Sequence, residues 1–376
     1  MATTLEVMSM VQTAQGGSFQ DADSIFMMMP CIGFCMLGVS KSYKAVVYRP
    51  VYENLYTELR AIWPDGEVTE EEYHIINTAL ARLYIVIKGY YWCNNTLLVV
   101  YLSVPFIRYI KWLAGWDVSL VLPFFYWLPF NPYYMKGVYE FLLLVQTWHG
   151  VITVWYIVSS DLLFCAFMCH ITTQLDLLSV KIRRLVYVPE DEQLIGEYPL
   201  ATYNKELSST DKRSLNDDES QKKVHDDLID IVLRHRVLIR LAGDVEQLFS
   251  VTLLLNFCNG SINICFCGFC CVMVEKWNEL PYKVFLLTAL SQMWLFCWYG
   301  QRLLDSSLGV ADALYNSGWY RVNKQISNII RIMIYRSQKE VRVTTYGFSV
   351  ISLSSFTTII KTAWSYFTLL LKTYKQ

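Results

Sequence analysis

Long stretches without charged side chains constrain this chain more than any other feature. Residues 248–274 and 284–301 contain no Asp, Glu, Lys or Arg, and residues 343–371 contain only Lys361. A helix of roughly 20 apolar residues spans the hydrocarbon core of a bilayer, with every backbone amide bonded internally. Three less uniform candidates come earlier in the chain, at Ile25–Val47, Tyr84–Ile107 and Val138–Cys169. We therefore expect an all-α integral membrane helical bundle with six transmembrane helices.

Composition agrees with this class and excludes others. Only 17% of the residues are charged, against about 25% in an average soluble domain. The net charge of -1 argues against a nucleic-acid partner, which demands a basic face. The 11 Cys residues lie in or beside apolar segments, as is typical of buried thiols rather than of disulfides. Cys267 and Cys270 form a C-x-x-C in mid-span without a nearby His, so we expect no metal site and no cofactor there.

The distribution of Lys and Arg predicts the orientation of the bundle. Residues 41–82, 166–240 and 302–342 hold 23 of these cations, whereas the tails and loops of the opposite set hold seven. Cytoplasmic loops carry the excess of Lys and Arg. The first set is therefore expected to be cytoplasmic, and both chain ends to be extracellular.

This topology divides the chain into segments with expected roles. Residues 1–20 form a short extracellular remnant, and residues 21–170 form a transmembrane bundle with an extracellular loop at 111–136. Residues 171–247 form cytoplasmic helices around an acidic linker, and residues 248–301 form two transmembrane helices. Residues 302–342 form a cytoplasmic anchor layer, and residues 343–376 form the last helix.

The extracellular loop is rich in proline and aromatic residues. Pro123, Pro129 and Pro132 lie between Trp112 and Tyr134, and prolines so close together exclude a helix. The aromatic side chains favour either a lid folded over the bundle or an anchor in the membrane interface. Both interpretations remain open at this level.

The polar residues of the spans do not form a catalytic group. His149 and Asp161 share a helix but lie 12 residues apart, too far for a general-base dyad. His170 and Asp176 do not form a convincing general-base dyad either. We therefore predict that the protein is not an enzyme and has no catalytic residues.

The last span carries many hydroxyl groups. Between residues 349 and 365 they occupy more than one helix face, at Ser349, Ser352, Ser354, Ser355, Thr357, Thr358, Thr362 and Ser365. Hydroxyl groups can line water, and small residues let helices approach closely. A pore-lining role and ordinary helix packing both account for this pattern.

Several segments resemble the insect odorant receptor family. The most specific is YGQRLLDSSLGVADALYNSGW at Tyr299–Trp319, followed by a Ser/Thr-rich last helix with Phe356, Lys361 and Tyr366. HRVLIRLAGDVEQLFS at His235–Ser250 and LPFFYWLPFNPYY at Leu122–Tyr134 also fit. The resemblance runs from about Ile25 to the end of the chain.

The resemblance implies a subunit of a tetrameric, ligand-gated cation channel with seven spans. Ile25–Val47 falls on the family's second span, so six of the seven spans are visible here. We therefore hypothesise that the sequence is truncated or is a short isoform. The family further implies a small volatile odorant as ligand and a co-receptor subunit as partner in a hetero-tetramer. The expected location is the plasma membrane of an olfactory sensory neuron.

The resemblance also implies site residues. The family's odorant pocket lies in the outer half of the bundle, which here supplies Phe26, Met29, Ile32, Leu98, Tyr101, Leu102, Leu143, Gln146, Thr147, Phe285 and Thr288. Gln146 and Tyr101 are the expected polar contacts of the ligand. The family's gate, a ring of aliphatic side chains, falls on Leu369, close to Tyr366 and one turn before Thr373. Such a ring blocks ions by excluding water.

Two other receptor classes are alternatives. A gustatory receptor of the sister family would place a Gln–Phe pair shortly after Thr345–Tyr346, and no Gln follows there within the helix. A G-protein-coupled chemoreceptor would have its N-terminus outside and its C-terminus inside, contrary to the charge distribution.

Overall fold

A computed structural model describes residues 19–64, 66, 68–124, 129–135, 137–186, 218–273 and 280–374, together with Thr4 and Met8. The side chains of residues 19–29 are outside this description. Within the described residues, eight α-helices follow one another: α1 Phe19–Val47, α2 Arg49–Ala61, α3 Glu70–Leu113, α4 Val138–Arg183, α5 Asp218–Met273, α6 Leu280–Tyr315, α7 Lys324–Ser337 and α8 Leu353–Tyr374.

The long helices extend well beyond the thickness of a bilayer. Helix α4 has 46 residues, which corresponds to about 69 Å at 1.5 Å per residue. Helix α3 begins 14 residues before the predicted span at Tyr84, because a capping box starts it there. Thr69 accepts a hydrogen bond from the backbone of Glu72, and the Glu72 carboxylate accepts one from the backbone N–H of Thr69 at 3.0 Å. This arrangement satisfies amides at the start of a helix.

The helices form one membrane bundle. Among the described residues, α3, α4, α5 and α6 are each long and apolar enough to cross a membrane. Helix α1 packs on α4 and α5, and α8 packs on α5 and α6. The prediction of an all-α membrane bundle is confirmed. Helix α8 falls outside that apolar group because Ser, Thr and Lys residues interrupt it.

A second layer lies at the end of the bundle remote from the α3–α4 loop, and we call it the basal layer. It contains α2, α7 and the ends of α4, α5 and α6. Leu59, Leu228, Leu303 and Ile330 are buried together in its core. The predicted helices on either side of the acidic linker, which was expected at Pro189–Asp230, are thus present. Residues 189–217 of the linker lie outside the described residues, whereas residues 218–230 belong to α5 and are helical.

The segment before α8 corrects the predicted start of the last helix. Residues 343–352 do not continue a helix: Thr344 and Val350 form an antiparallel bridge, and the N–H of Phe348 donates to the carbonyl of Thr345 at 3.0 Å. Tyr346 and Gly347 have φ angles of 52° and 81°, as a type I′ turn requires. Helix α8 therefore begins at Leu353 and not at Val343.

This segment, residues 341–352, is fixed to both neighbouring helices, and we call it the strap. The Glu246 carboxylate of α5 accepts from the backbone N–H of Thr344 at 3.0 Å. The Ser307 hydroxyl of α6 accepts from the N–H of Val341 at 3.1 Å. Gly300 of α6 lies so close to the strap that an added Cβ would overlap with the carbonyl oxygen of Ile351. The strap thus connects the basal layer to α8.

Candidate ligand cavity and pore-lining helix

The loop between α3 and α4 folds back onto the bundle. Phe124 is only 6% exposed, and its ring contacts those of Tyr101 and His149 with centroids 5.8 and 5.9 Å apart. Its backbone N–H donates to Oε1 of Gln146 at 2.9 Å. Gly150 leaves room for the ring, since an added Cβ would approach it to 3.3 Å. Phe124 therefore covers this end of the bundle, and we call this residue the lid.

An apolar cavity lies beneath Phe124 and is partly open to the surroundings. Helices α1, α3, α4 and α6 and the loop all contribute to its wall, through Cys31, Phe34, Leu97, Leu98, Tyr101, Leu102, Phe124, Gly150, Val154 and Phe285. Its main polar group, the Tyr101 hydroxyl, donates to the carbonyl of Pro123 at 2.8 Å and lies 3.0 Å from Sγ of Cys31. Binding in this cavity must depend mainly on buried apolar area and shape.

The structure brings together only some of the residues predicted to bind ligand. Leu98, Tyr101, Leu102 and Phe285 line the apolar cavity. Thr288 lines a second, deeper cavity. Phe26 and Met29 belong to α1, but their side chains lie outside the described part of the chain.

The remaining predicted residues are placed elsewhere. Ile32 is buried, and Leu143 packs with Leu122 and Tyr139 in a small separate core. Gln146 is fully buried and binds the backbone of Phe124, so its amide oxygen holds the lid. The Thr147 hydroxyl donates to the carbonyl of Leu143 in its own helix.

Sequence reasoning missed several residues of the cavity wall. Phe124 lies in the proline-rich loop, where nothing in the sequence indicates which aromatic ring turns inward. Gly150 is a single glycine in a long apolar helix, which is a recognisable sign of close packing. Cys31, Phe34 and Val154 are apolar residues among many, so their position depends on the rotation of each helix in the bundle.

A second cavity, one to two helical turns deeper, has a polar wall, and we call it the polar chamber. It is small and partly open, and it is lined by Phe34, Leu37, Tyr90, Asn94, Ile157, Asn259, Asn263, Phe285, Thr288, Ala289 and Gln292. The sequence carries a signal for it, because Asn256, Asn259 and Asn263 recur at helical spacing in the apolar part of α5. Polar residues inside a membrane are costly and mark functional sites.

A buried ion pair lies below the polar chamber. Nζ of Lys41 is 2.5 Å from Oδ1 of Asp161, and both side chains are almost fully buried. Oδ2 of Asp161 accepts from the Tyr90 hydroxyl at 2.9 Å and from the Gln292 amide at 2.7 Å. The network therefore joins α1, α3, α4 and α6. Such bonds are needed to hold two charges in an apolar interior.

Helix α8 presents a hydroxyl-rich face away from the bundle. Phe356, Ile359 and Ala363 face the core, whereas Leu369 is 58% exposed and Tyr366 60% exposed. The exposed hydroxyl groups are those of Ser354, Thr357, Thr358, Thr362, Ser365, Thr368 and Thr373. The three residues predicted at the gate are thus on the exposed surface of α8.

Six of the seven hydroxyl groups of this face donate within the helix. Thr358, Thr362 and Thr373 donate to carbonyls four residues earlier at 2.9–3.0 Å. Ser365 donates to the carbonyl of Lys361 at 3.0 Å. Because a hydroxyl oxygen keeps lone pairs after donating, the face offers acceptors to water and to cations.

Metal ligands do not cluster in the described residues, where no group of three His, Cys, Asp or Glu side chains could hold an ion. Cys267 and Cys270 are buried within α5. The described cysteines are free thiols.

Comparisons with known proteins agree with the helical architecture. The family model described as 7tm Odorant receptor matches residues 21–364. Odorant receptor 85b of Drosophila melanogaster is 29% identical over 355 residues, which cover 92% of this chain and 81% of that protein. Odorant receptor 85c of the same organism is 26% identical over 364 residues, covering 94% and 83%.

A solved structure shares the fold. The insect olfactory receptor OR5 from Machilis hrabei, in complex with eugenol, superimposes with a TM-score of 0.75 at 16% identity, over 99% of this chain and 88% of that chain. The family match favours the odorant receptor interpretation over the gustatory and G-protein-coupled alternatives. It also points to a receptor rather than an enzyme. With its apolar spans and a family match over most of its length, this multi-pass membrane protein belongs to the 7tm odorant receptor family.

Proposed function

We propose that the chain is the odorant-binding subunit of an odorant-gated, non-selective cation channel. In this proposal it assembles with the family's co-receptor subunit as a hetero-tetramer. The location is the plasma membrane of an olfactory sensory neuron, and the ligand is a small, volatile, hydrophobic molecule.

The exposed hydroxyl face of α8 carries the proposal. A helix surrounded by lipid is expected to expose mainly apolar side chains, yet beside Trp364, Tyr366 and Leu369 the exposed side of α8 carries seven Ser and Thr residues and Lys361. Four subunits arranged around an axis would direct this face to a central aqueous path. The hydroxyl oxygens there would replace part of the hydration shell of a passing cation.

The position of Leu369 supports a gate near the end of α8. Its side chain is exposed on the same side as Thr362 and Thr373. A ring of Leu side chains from neighbouring subunits would exclude water and block ions by dewetting. Ligand binding opens such a gate only if the ligand contacts the open state more favourably than the closed state.

The strap supports a mechanical connection between cavity and gate. Phe285 of α6 lines the cavity, and Gly300 and Ser307 of the same helix contact the strap. A shift of α6 on ligand binding would therefore move the strap and, with it, the start of α8 at Leu353. Packed elements of this kind move between discrete positions.

The proposal is tested by recording current from cells that express the chain with and without the co-receptor. G-protein signalling is blocked inside the cell, and a panel of volatile compounds is applied. We expect an odorant-evoked cation current that needs both subunits and survives the block. Protein present at the cell surface without any evoked current in either case would contradict the channel function.

The gate is tested in the same cells with a matched pair of leucine variants. Leu369→Ala should raise the current without odorant, because a smaller side chain admits water to the constriction. Leu371→Ala is the control, since Leu371 lies about 200° around the helix from Leu369, at 100° per residue. Equal basal currents in the two variants would count against a gate at Leu369.

A further inference from the structure

The apolar cavity and the polar chamber are separated by one pair of aromatic rings. Phe34 of α1 and Phe285 of α6 line both spaces. Their rings meet edge to face, with centroids 5.7 Å apart. Aromatic side chains turn about two torsions only, so a small rotation of either ring would join the spaces. The pair is a partition between an apolar compartment and a polar one.

One hydrogen-bond acceptor in the wall of the polar chamber has no donor among the described residues. Asn94 donates to the carbonyl of Tyr90 at 2.9 Å, and Gln292 donates to Asp161. Asn263 is only 3% exposed, and its Oδ1 has no hydrogen-bond partner among the described residues. A buried acceptor without a donor costs free energy. The chamber therefore favours an occupant that can donate a hydrogen bond.

The chamber selects against charged occupants. Lys41 and Asp161 neutralise each other below it, and both carboxylate oxygens of Asp161 are occupied by Lys41, Tyr90 and Gln292. A carboxylate or an ammonium ion would enter without a counterion, at a large desolvation cost. The fitting group is neutral.

The two spaces together set the shape of a molecule that fills both. On α3, Asn94 lies in the chamber wall and Leu102 in the cavity wall. Eight residues at 1.5 Å per residue separate them by about 12 Å. A molecule that fills both spaces is therefore elongated, with one polar end and a hydrocarbon body.

We propose that the polar chamber is a second ligand subsite, which binds the hydroxyl end of a neutral, unbranched alcohol whose chain occupies the apolar cavity. This inference rests on the proposed odorant-binding function and specifies its ligand class. Oδ1 of Asn263 accepts a hydrogen bond from the hydroxyl group of the alcohol. Phe34 and Phe285 turn aside to let the chain pass between the spaces.

The test compares two series of ligands on cells that express the full chain with the co-receptor. One series consists of primary alcohols with four to ten carbons, and the other of methyl ethers of matched length, which accept hydrogen bonds but cannot donate them. We expect the best alcohol to act at a concentration about tenfold lower than its matched ether. Equal potency of the two series on the unmodified chain would overturn the subsite.

A variant identifies the acceptor. Asn263→Leu keeps the branched shape and the number of heavy atoms but removes the amide, so the potency of the alcohols should fall about tenfold while that of the ethers stays unchanged. Tenfold corresponds to about 1.4 kcal/mol. The control is Asn95→Leu, since the Asn95 amide donates to the carbonyl of Tyr91 in its own helix and is not part of the chamber wall.

The outcomes separate the two proposals. If Asn263→Leu lowers the potency of alcohols and ethers equally, or changes the potency of neither series, Asn263 does not bind the hydroxyl group. The proposed subsite is then wrong. If Asn263→Leu does not reach the surface, the comparison of alcohols with ethers on the unmodified chain decides alone. If no compound of either series evokes current from protein at the surface, the proposed function fails and the subsite with it.

Discussion

Phe124 of the α3–α4 loop lies directly against Gly150 of α4, where a Cβ atom added to the glycine would approach two carbons of the ring to 3.3 Å. Both residues line the apolar cavity. The loop and the helix therefore define the upper end of the cavity together, and the size of residue 150 determines how deeply the ring enters.

A larger residue at position 150 should shorten the cavity. We expect Gly150→Val to raise the half-maximal concentration of the longest active ligands about tenfold, or about 1.4 kcal/mol, and to leave the shortest ones unchanged. Dose–response curves over a series of chain lengths measure this. Gly89→Val is the control, because an added Cβ at Gly89 would meet nothing within 4 Å. A uniform loss across all lengths would show that Gly150 does not set the cavity length.

Gln146 should matter for the lid rather than for direct ligand contact. In Gln146→Leu the buried N–H of Phe124 loses its acceptor, which costs about 1–3 kcal/mol. We expect a lower thermal unfolding midpoint in detergent and weaker responses to all ligands alike. Thr147→Val is the control, because the Thr147 hydroxyl donates only within its own helix. A variant that changed the ranking of ligands at unchanged stability would instead favour direct contact with the odorant.

The architecture was largely predictable, because charge-free stretches and helical periodicity report directly on burial in lipid. The start of α8 was not. Residues 343–352 are apolar and hydroxyl-rich like the helix that follows, and only the Gly347 turn and the contacts with Glu246 and Gly300 distinguish them. Those contacts join residues distant in sequence, so periodicity carries no information about them.

The cavity was predictable in part for the same reason. Leu98, Tyr101 and Leu102 share one face of α3, and all three line the apolar cavity. Two features of the site depend on how the loop folds. One is the inward position of the Phe124 ring, and the other is the contact of Gln146 with the Phe124 backbone. The spacing of Asn256, Asn259 and Asn263 was readable from the sequence, since three amides on one face of an apolar helix are unusual.

Gly300 should be sensitive to the smallest substitution. In Gly300→Ala the new methyl group overlaps with the carbonyl oxygen of Ile351, and a backbone atom held by the strap cannot easily move away. We expect at least a tenfold fall in evoked current for the same amount of protein at the surface. Gly309→Ala, on the same helix in open space, should behave like the unmodified chain. Equal currents in both variants would show that the strap does not transmit gating.

One substitution in the turn of the strap, Tyr346→Asn, should stabilise the protein. Tyr346 has a φ of 52°, which costs a residue with a Cβ about 1–2 kcal/mol, and Asn is favoured there in a type I′ turn. Tyr346→Asn should therefore raise the free energy of unfolding by about 1 kcal/mol, measured by thermal unfolding in detergent. Phe348→Asn, which alters an exposed residue of the same turn, should bring no such gain. A gain in both variants would point to removal of surface aromatics as the cause.

The central claim is that the hydroxyl face of α8 lines the ion path, and cysteine accessibility tests it most directly. Leu369→Cys and Leu371→Cys are each expressed with the co-receptor and exposed to a positively charged, water-soluble thiol reagent during odorant application. The unmodified chain is treated in parallel, because Cys258 is exposed. We expect irreversible block of the current in Leu369→Cys and little effect in Leu371→Cys, because only residue 369 faces the ion path. Current that survives the reagent in Leu369→Cys, or that is blocked equally in both variants, would contradict it.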